Sequence, residues 1–162
     1  MKKVIYILLI ITTLISCIQK EDKIKSLEVI SMNNTRPIDE LKELVLSKGD
    51  TAAFNELEVA YLNEKNEEEY LLYSLVMANK YNYPRAYFQV YYCLTSVFDH
   101  SVGEIDEETK NTALKYLKKG VDLNDLESIK CLGELYLNGR YVKKDTILGK
   151  ELSERSKKLC GY

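Results

Sequence analysis

Three stretches of this chain lie over one another without a gap, and that internal repetition constrains the fold more than any other feature. They run from Thr51 to Leu62, from Pro84 to Thr95 and from Leu126 to Leu137, at spacings of 33 and 42 residues. Small residues coincide at Ala53, Ala86 and Ser128, and apolar ones at Leu57/Val90/Leu132, Ala60/Cys93/Leu135 and Tyr61/Leu94/Tyr136. Those offsets of i, i+4, i+7 and i+8 make one stripe along a helix. The longer spacing is explained by an acidic insertion around Asp99–Glu108. Between the repeated stretches the pattern predicts second helices over Glu67–Lys80, Glu108–Val121 and Thr146–Leu159, with Asn66, Asp106 and Asp145 as N-caps. An additional helix is expected ahead of them. Pro37 suits its first turn, Leu41, Leu44 and Val45 share one face, Gly49 supplies the stop and Asp50 the next N-cap. A helix pair repeated at this period reads as an all-α solenoid, and three units are about the minimum for a continuous core.

Composition agrees with one helical domain. The 162 residues are 46% hydrophobic and 30% charged, with only 7 Gly and 2 Pro, which excludes a disordered or collagen-like chain and argues against a turn-rich all-β fold. A net charge of −2 gives no general attraction for nucleic acid or anionic lipid. The single histidine, His100, falls in the acidic insertion with Asp99, Glu104 and Asp106. One His among carboxylates, without helical or Cys spacing, fits a solvated loop better than a metal site. No phosphate-binding loop, dinucleotide fingerprint or nucleophile elbow occurs. No catalytic residue, cofactor or metal is therefore assigned, and the expectation is a protein that is not an enzyme. Cys93 lies on the core stripe, whereas Cys131 lies outside it; an exported setting permits a bridge from Cys131 to Cys160 without demanding one.

The N-terminus carries an address. Met1-Lys2-Lys3 precedes an apolar run from Val4 to Ile15 and then Ser16-Cys17. A basic start, a run of this length and a small residue before the break are the parts of a secretory signal, too short for a comfortable membrane span. Leu14-Ile15-Ser16-Cys17 also resembles a bacterial lipobox. That resemblance implies a signal peptide over 1–16, a lipid-modified Cys17 opening a polar tether over 17–36, and a repeat domain over 37–162. It also implies anchorage at the bacterial outer membrane through the N-terminal lipid only. No aspartate follows the cysteine, and Gln19-Lys20-Glu21-Asp22 resembles the short surface-export signal of certain Gram-negative lipoproteins. A periplasm-facing and a surface-exposed position both stay open.

The repeats carry a family resemblance of their own. Ala113-Leu-Lys-Tyr-Leu-Lys-Lys-Gly120, then Leu132-Gly-Glu-Leu-Tyr-Leu-Asn-Gly139, then Val142-Lys-Lys-Asp145 resembles the Sel-one-like repeat, a relative of the tetratricopeptide repeat. Glu58 and Tyr91 stand where that motif has Gly, and Gly149 stands where it usually has Ala. The resemblance implies a short right-handed α-α solenoid of about three helix pairs whose first helices line a concave face, and it implies binding rather than chemistry. The positions carried over are Ala52, Asn55, Val59 and Leu62, then Arg85, Phe88, Tyr92 and Thr95, then Glu127, Lys130, Glu134 and Leu137.

The middle repeat is the informative one. Its stripe is filled by Ala86, Val90, Cys93, Leu94 and Val97, yet Tyr87, Tyr91, Phe88 and Tyr92 make the remaining faces apolar too. Such a helix is either covered by its neighbours or partly offered to a partner. On the second reading Arg85, Phe88 and Tyr92 anchor another protein or peptide, flanked by Lys130 and Glu134. The expected function is a non-catalytic protein–protein interaction module at a bacterial envelope, with no nucleic acid partner. Its more specific form is an immunity protein that binds and masks a cognate toxin. The alternative is a surface-exposed glycan- or nutrient-binding lipoprotein, drawing on the eight tyrosines between Tyr61 and Tyr92.

Overall fold

A computed structural model describes residues 36–63, 66–99 and 105–161. Among these the secondary structure is seven α-helices and no strand: α1 Ile38–Lys48, α2 Thr51–Asn63, α3 Glu67–Asn79, α4 Pro84–Asp99, α5 Glu107–Asp122, α6 Leu126–Asn138 and α7 Thr146–Leu159. The fold is all-α, as the periodicity predicts. The signal run, Cys17, the tether, His100 and Glu104 lie outside the described residues, as does the side chain of Val97.

The helix boundaries have local causes. Asp50, Asp106 and Asp125 accept the backbone N–H of Ala53, Thr109 and Ser128 at 2.8, 2.9 and 2.8 Å. Asp145 takes two such groups, from Ile147 at 3.1 Å and Leu148 at 3.0 Å. A cap of this kind is worth about 1 kcal/mol. Asn66 does not work this way. Its side chain caps nothing and instead donates from Nδ2 to Glu69 Oε2 at 3.3 Å, because that carboxylate is already fixed beside it by Tyr61 and Lys42. Pro37 also stands one place earlier than expected. It is the N-cap of α1, with φ −57° and an extended ψ of 142°, and its carbonyl accepts from Leu41 at 3.2 Å. Gly49 (φ 64°) and Gly139 (φ 73°) close α1 and α6 in the left-handed conformation that a side chain would strain.

Burial follows the repeat columns. Ala53, Ala86 and Ser128 are each 0% exposed, and Leu57, Val90 and Leu132 lie below them in the core. The core has two clusters. The first joins α1 to α4 through Leu41, Val45, Phe54, Tyr70, Met77 and Val90; the second joins α4 to α7 through Tyr91, Leu114, Leu117, Ile129, Leu135 and Leu152. α4 belongs to both. Aromatic stacking tightens the first cluster: Phe54 stacks on Tyr70 at 5.2 Å and Tyr61 on Tyr73 at 5.9 Å. Such pairs add about 0.5–1.5 kcal/mol each beyond their buried area.

Each helix packs on the next in the chain, and the backbones of α1 and α3 and of α4 and α6 also approach, while side chains join α2 to α4, α3 to α5 and α5 to α7. At the α6–α7 crossing the two backbones come together through a pair of glycines. A Cβ on Gly149 would lie 3.0 Å from the carbonyl oxygen of Gly133 and 2.7 Å from Leu137 Cγ. The close approach leaves no room for a side chain at Gly149. Arg155 then locks α7 to the end of α5 and the α5–α6 turn, donating from Nη2 to Val121 O and to Asn124 Oδ1, both at 2.8 Å.

Candidate functional site

α4 divides its aromatic residues between the two clusters. Tyr87 turns into the first cluster and Tyr91 into the second, each 7% exposed, so the core takes more of this helix than one stripe. Phe88 and Tyr92 are half-buried, Tyr92 packed against the first cluster and Phe88 against the second. Their rings lie 6.3 Å apart at 33°, and Phe88 lies 6.5 Å from Tyr91. Opposite them runs α6. The two helices enclose a groove of about 220 Å3, walled by Phe88, Tyr91, Tyr92 and Thr95 on one side and by Cys131, Glu134, Leu135 and Asn138 on the other, with Arg140 at its end.

Of the five residues expected at a partner site, the structure brings Phe88, Tyr92 and Glu134 into this one groove. Arg85 and Lys130 are placed differently. Arg85 reaches back to α2 and donates two parallel hydrogen bonds to Glu58, Nε to Oε2 at 3.0 Å and Nη2 to Oε1 at 2.8 Å. Lys130 is exposed and turns along its own helix to Glu127 at 3.2 Å. Two positions carried over as concave-face residues are occupied by packing. Thr95 is buried, its hydroxyl donating to Tyr91 O at 3.0 Å, and Leu137 packs on Gly149 of α7.

The groove floor is polar in a restrained way. Burial first, then the Coulombic effect of the neighbouring Cys131 and then hydrogen bonding to its sulfur hold the Tyr91 hydroxyl neutral. Burial likewise pushes the Cys131 thiol up to about 11, so the groove presents a neutral thiol rather than a thiolate nucleophile. Cys93, Cys131 and Cys160 are all free thiols, with Cys160 exposed at the end of α7. Charge enters only at the rim, from Glu134 and from Arg140, whose guanidinium lies 4.8 Å over the Tyr141 ring. A strip of aromatic surface with one acidic and one basic group at its edge can hold an apolar side chain of a ligand and orient it. Among the described residues no group of His, Cys, Asp or Glu is arranged to hold a metal ion.

Compared with models of known protein families, with curated proteins and with solved structures, the chain finds no match. No helix among the described residues is long and apolar enough to cross a membrane. Tyr91, Cys131, Asn138 and Arg140 are groove residues that the repeat pattern did not single out. Tyr91 and Cys131 meet across α4 and α6, and nothing in their spacing of 40 residues announces the pairing. Arg140 had a signal: it directly follows the left-handed Gly139, where a turn throws the next side chain away from the helix axis.

Proposed function

We propose that this chain is a non-catalytic protein-interaction module, a short right-handed α-α solenoid of about three Sel-one-like helix pairs tethered through a lipid on Cys17 at a bacterial outer membrane. The observation that carries the reading is the half-buried pair Phe88 and Tyr92, each packed against a core cluster and each also lining the groove between α4 and α6. Aromatic residues at the edge of a groove are the residue type that dominates binding energy at protein interfaces. The order of helix contacts, each with its neighbour or next neighbour, is what a stacked repeat produces.

In its specific form the partner is a toxin and the module an immunity protein that covers it. Sugar or nutrient binding draws less support. Of the eight tyrosines between Tyr61 and Tyr92, five are buried in the helix packing, namely Tyr61, Tyr70, Tyr73, Tyr87 and Tyr91, which withdraws their faces from a stacking ligand.

Affinity capture from envelope and competitor extracts tests the reading, with the parental chain beside a Phe88→Ala/Tyr92→Ala chain of matched helicity. One dominant protein captured by the first and lost from the second is the expected result, and toxicity of that protein in the absence of this chain identifies immunity. Equal capture by both baits removes the groove from the proposal. No specific protein on either removes the interaction reading and favours a glycan or nutrient ligand.

A further inference from the structure

The largest cavity described lies away from the Phe88–Tyr92 groove, on the opposite flank of α4, where α3, α4 and α5 meet. It holds about 650 Å3 and is bordered by Asn79 of α3, Tyr87 of α4, and Lys115, Tyr116, Lys118 and Lys119 of α5. We propose that this cavity receives an acidic segment of a partner protein, whose carboxylates pair with Lys115, Lys118 and Lys119. The choice of a protein segment rests on the protein-interaction reading above; the cationic cavity itself does not.

Three observations favour it. All three lysines are exposed, and among the described residues no carboxylate pairs with any of them. The helix dipole gives a use to Lys119, which lies in the last turn of α5, but Lys115 stands a turn farther back. They also concentrate positive charge on a chain whose net charge is −2, with Asp122 alone opposing them at the cavity. A local field of one sign beside a concave wall steers and holds a ligand of the opposite sign.

The walls indicate which acidic ligand. The Tyr116 hydroxyl is bonded to the Asn79 side chain at 2.9 Å, and the Tyr87 hydroxyl donates to Asn82 at 2.8 Å. The two rings also lie against each other at 6.0 Å. The tyrosine hydroxyls and ring faces that a sugar acid would use are thus already engaged, and the ammonium groups, with the Asn111 amide, are what is left to offer. Carboxylates on flexible side chains, spaced along a peptide, can reach Lys115, Lys118 and Lys119 at their helical offsets of i, i+3 and i+4.

The test is fluorescence anisotropy of a labelled ten-residue oligoglutamate peptide titrated with the full chain at low salt. The peptide is expected to bind, to weaken steeply as salt rises, and to lose at least tenfold in affinity in Lys115→Glu/Lys118→Glu. Lys115→Gln/Lys118→Gln, which removes charge without reversing it, is expected to lose several-fold with helicity unchanged. A Lys143→Glu/Lys144→Glu chain makes the same change of net charge on exposed residues outside the cavity and is expected to bind as the parental chain does. Equal loss in that control would make the attraction a property of overall charge and overturn the site. So would no binding by the parental chain. Tighter binding of an oligogalacturonate than of the peptide would overturn the protein occupant. Phe88→Ala is expected to leave peptide binding intact, so failure of this cavity and failure of the Phe88–Tyr92 groove are read separately.

Discussion

Arg85 of α4 grips Glu58 of α2 with both arms of its guanidinium, at 3.0 and 2.8 Å, across 27 residues of sequence. The pair is only partly shielded, with side chains 42% and 16% exposed. Its expected worth is therefore about 1 kcal/mol, at the upper end for a surface pair because the contact is bidentate. A double-mutant cycle of Arg85→Ala and Glu58→Ala by urea unfolding checks this, and Arg85→Lys is expected to lose most of the coupling because an ammonium cannot bridge both oxygens.

Gly120 is expected to be intolerant of the smallest enlargement. A Cβ there would run into Ser128 Oγ and stand 2.8 Å from Ser128 Cβ, in the buried seam between α5 and α6. Helix propensity would favour Ala over Gly by about 1 kcal/mol, but overpacking of a tight seam costs about 1–3 kcal/mol. Gly120→Ala is expected to lower stability, by up to about 2 kcal/mol once the two are offset. Gly120→Ala/Ser128→Ala is expected to recover part of that, since the hydroxyl is the nearest obstacle, although Ser128 also bonds Asp125.

Acid should loosen the α1–α2–α3 corner through Glu69. Its carboxylate lies below the usual range because Tyr61 donates to it at 2.6 Å, with Lys42 at 3.0 Å as the next cause. A carboxylate depressed in the folded state contributes stability that is present above its unfolded pKa and is lost as pH falls through the folded one. The thermal midpoint is therefore expected to fall as pH drops below about 4.3, the ordinary Glu value. Glu69→Gln, with a lower midpoint at neutral pH, is expected to flatten that acid limb. An unchanged acid slope in the variant would place the loss elsewhere.

The thiols should report the packing directly. Burial pushes Cys93 up to about 12 and Cys131 up to about 11, while Cys160 is exposed. At pH 8 a thiol with a pKa near 11 is thiolate about one part in a thousand, before any steric protection. Mass spectrometry after brief alkylation of the native chain is expected to find Cys160 modified first and Cys93 last, with the difference abolished in denaturant. Early labelling of Cys131 would mean that the groove opens more than its contacts imply.

Much of this fold was legible in the repeats, and the reason is physical. A column such as Ala53/Ala86/Ser128 is small because another helix crosses there, and all three residues are fully buried. Aspartates at 50, 106 and 145 cap because their short side chains can reach the first free N–H groups. Asn66 is the N-cap of α3 by position, but its side chain does not cap, because Tyr61, Lys42 and Glu69 form a polar cluster that recruits its amide as a donor. The candidate site was legible in part. Periodicity marked Phe88 and Tyr92 as surplus to one core stripe, but it could not see that Arg85 would be taken by Glu58, nor that Leu137 would be needed against Gly149. Those are pairings between segments, and a pattern along one helix carries no information about which residue stands opposite.

The central claim is that Phe88 and Tyr92 serve a partner rather than the core, and one paired measurement addresses it. Phe88→Ala/Tyr92→Ala and the parental chain are unfolded in urea, and each is titrated with the protein captured by the parental chain. A fully buried Phe costs about 3–5 kcal/mol when cut to Ala, so residues at the lip of a groove should cost well under that, about 1–2 kcal/mol for the pair together. The result expected is that modest loss of stability with at least a tenfold loss of affinity. A loss of more than about 5 kcal/mol, or an affinity that does not change, would contradict the account.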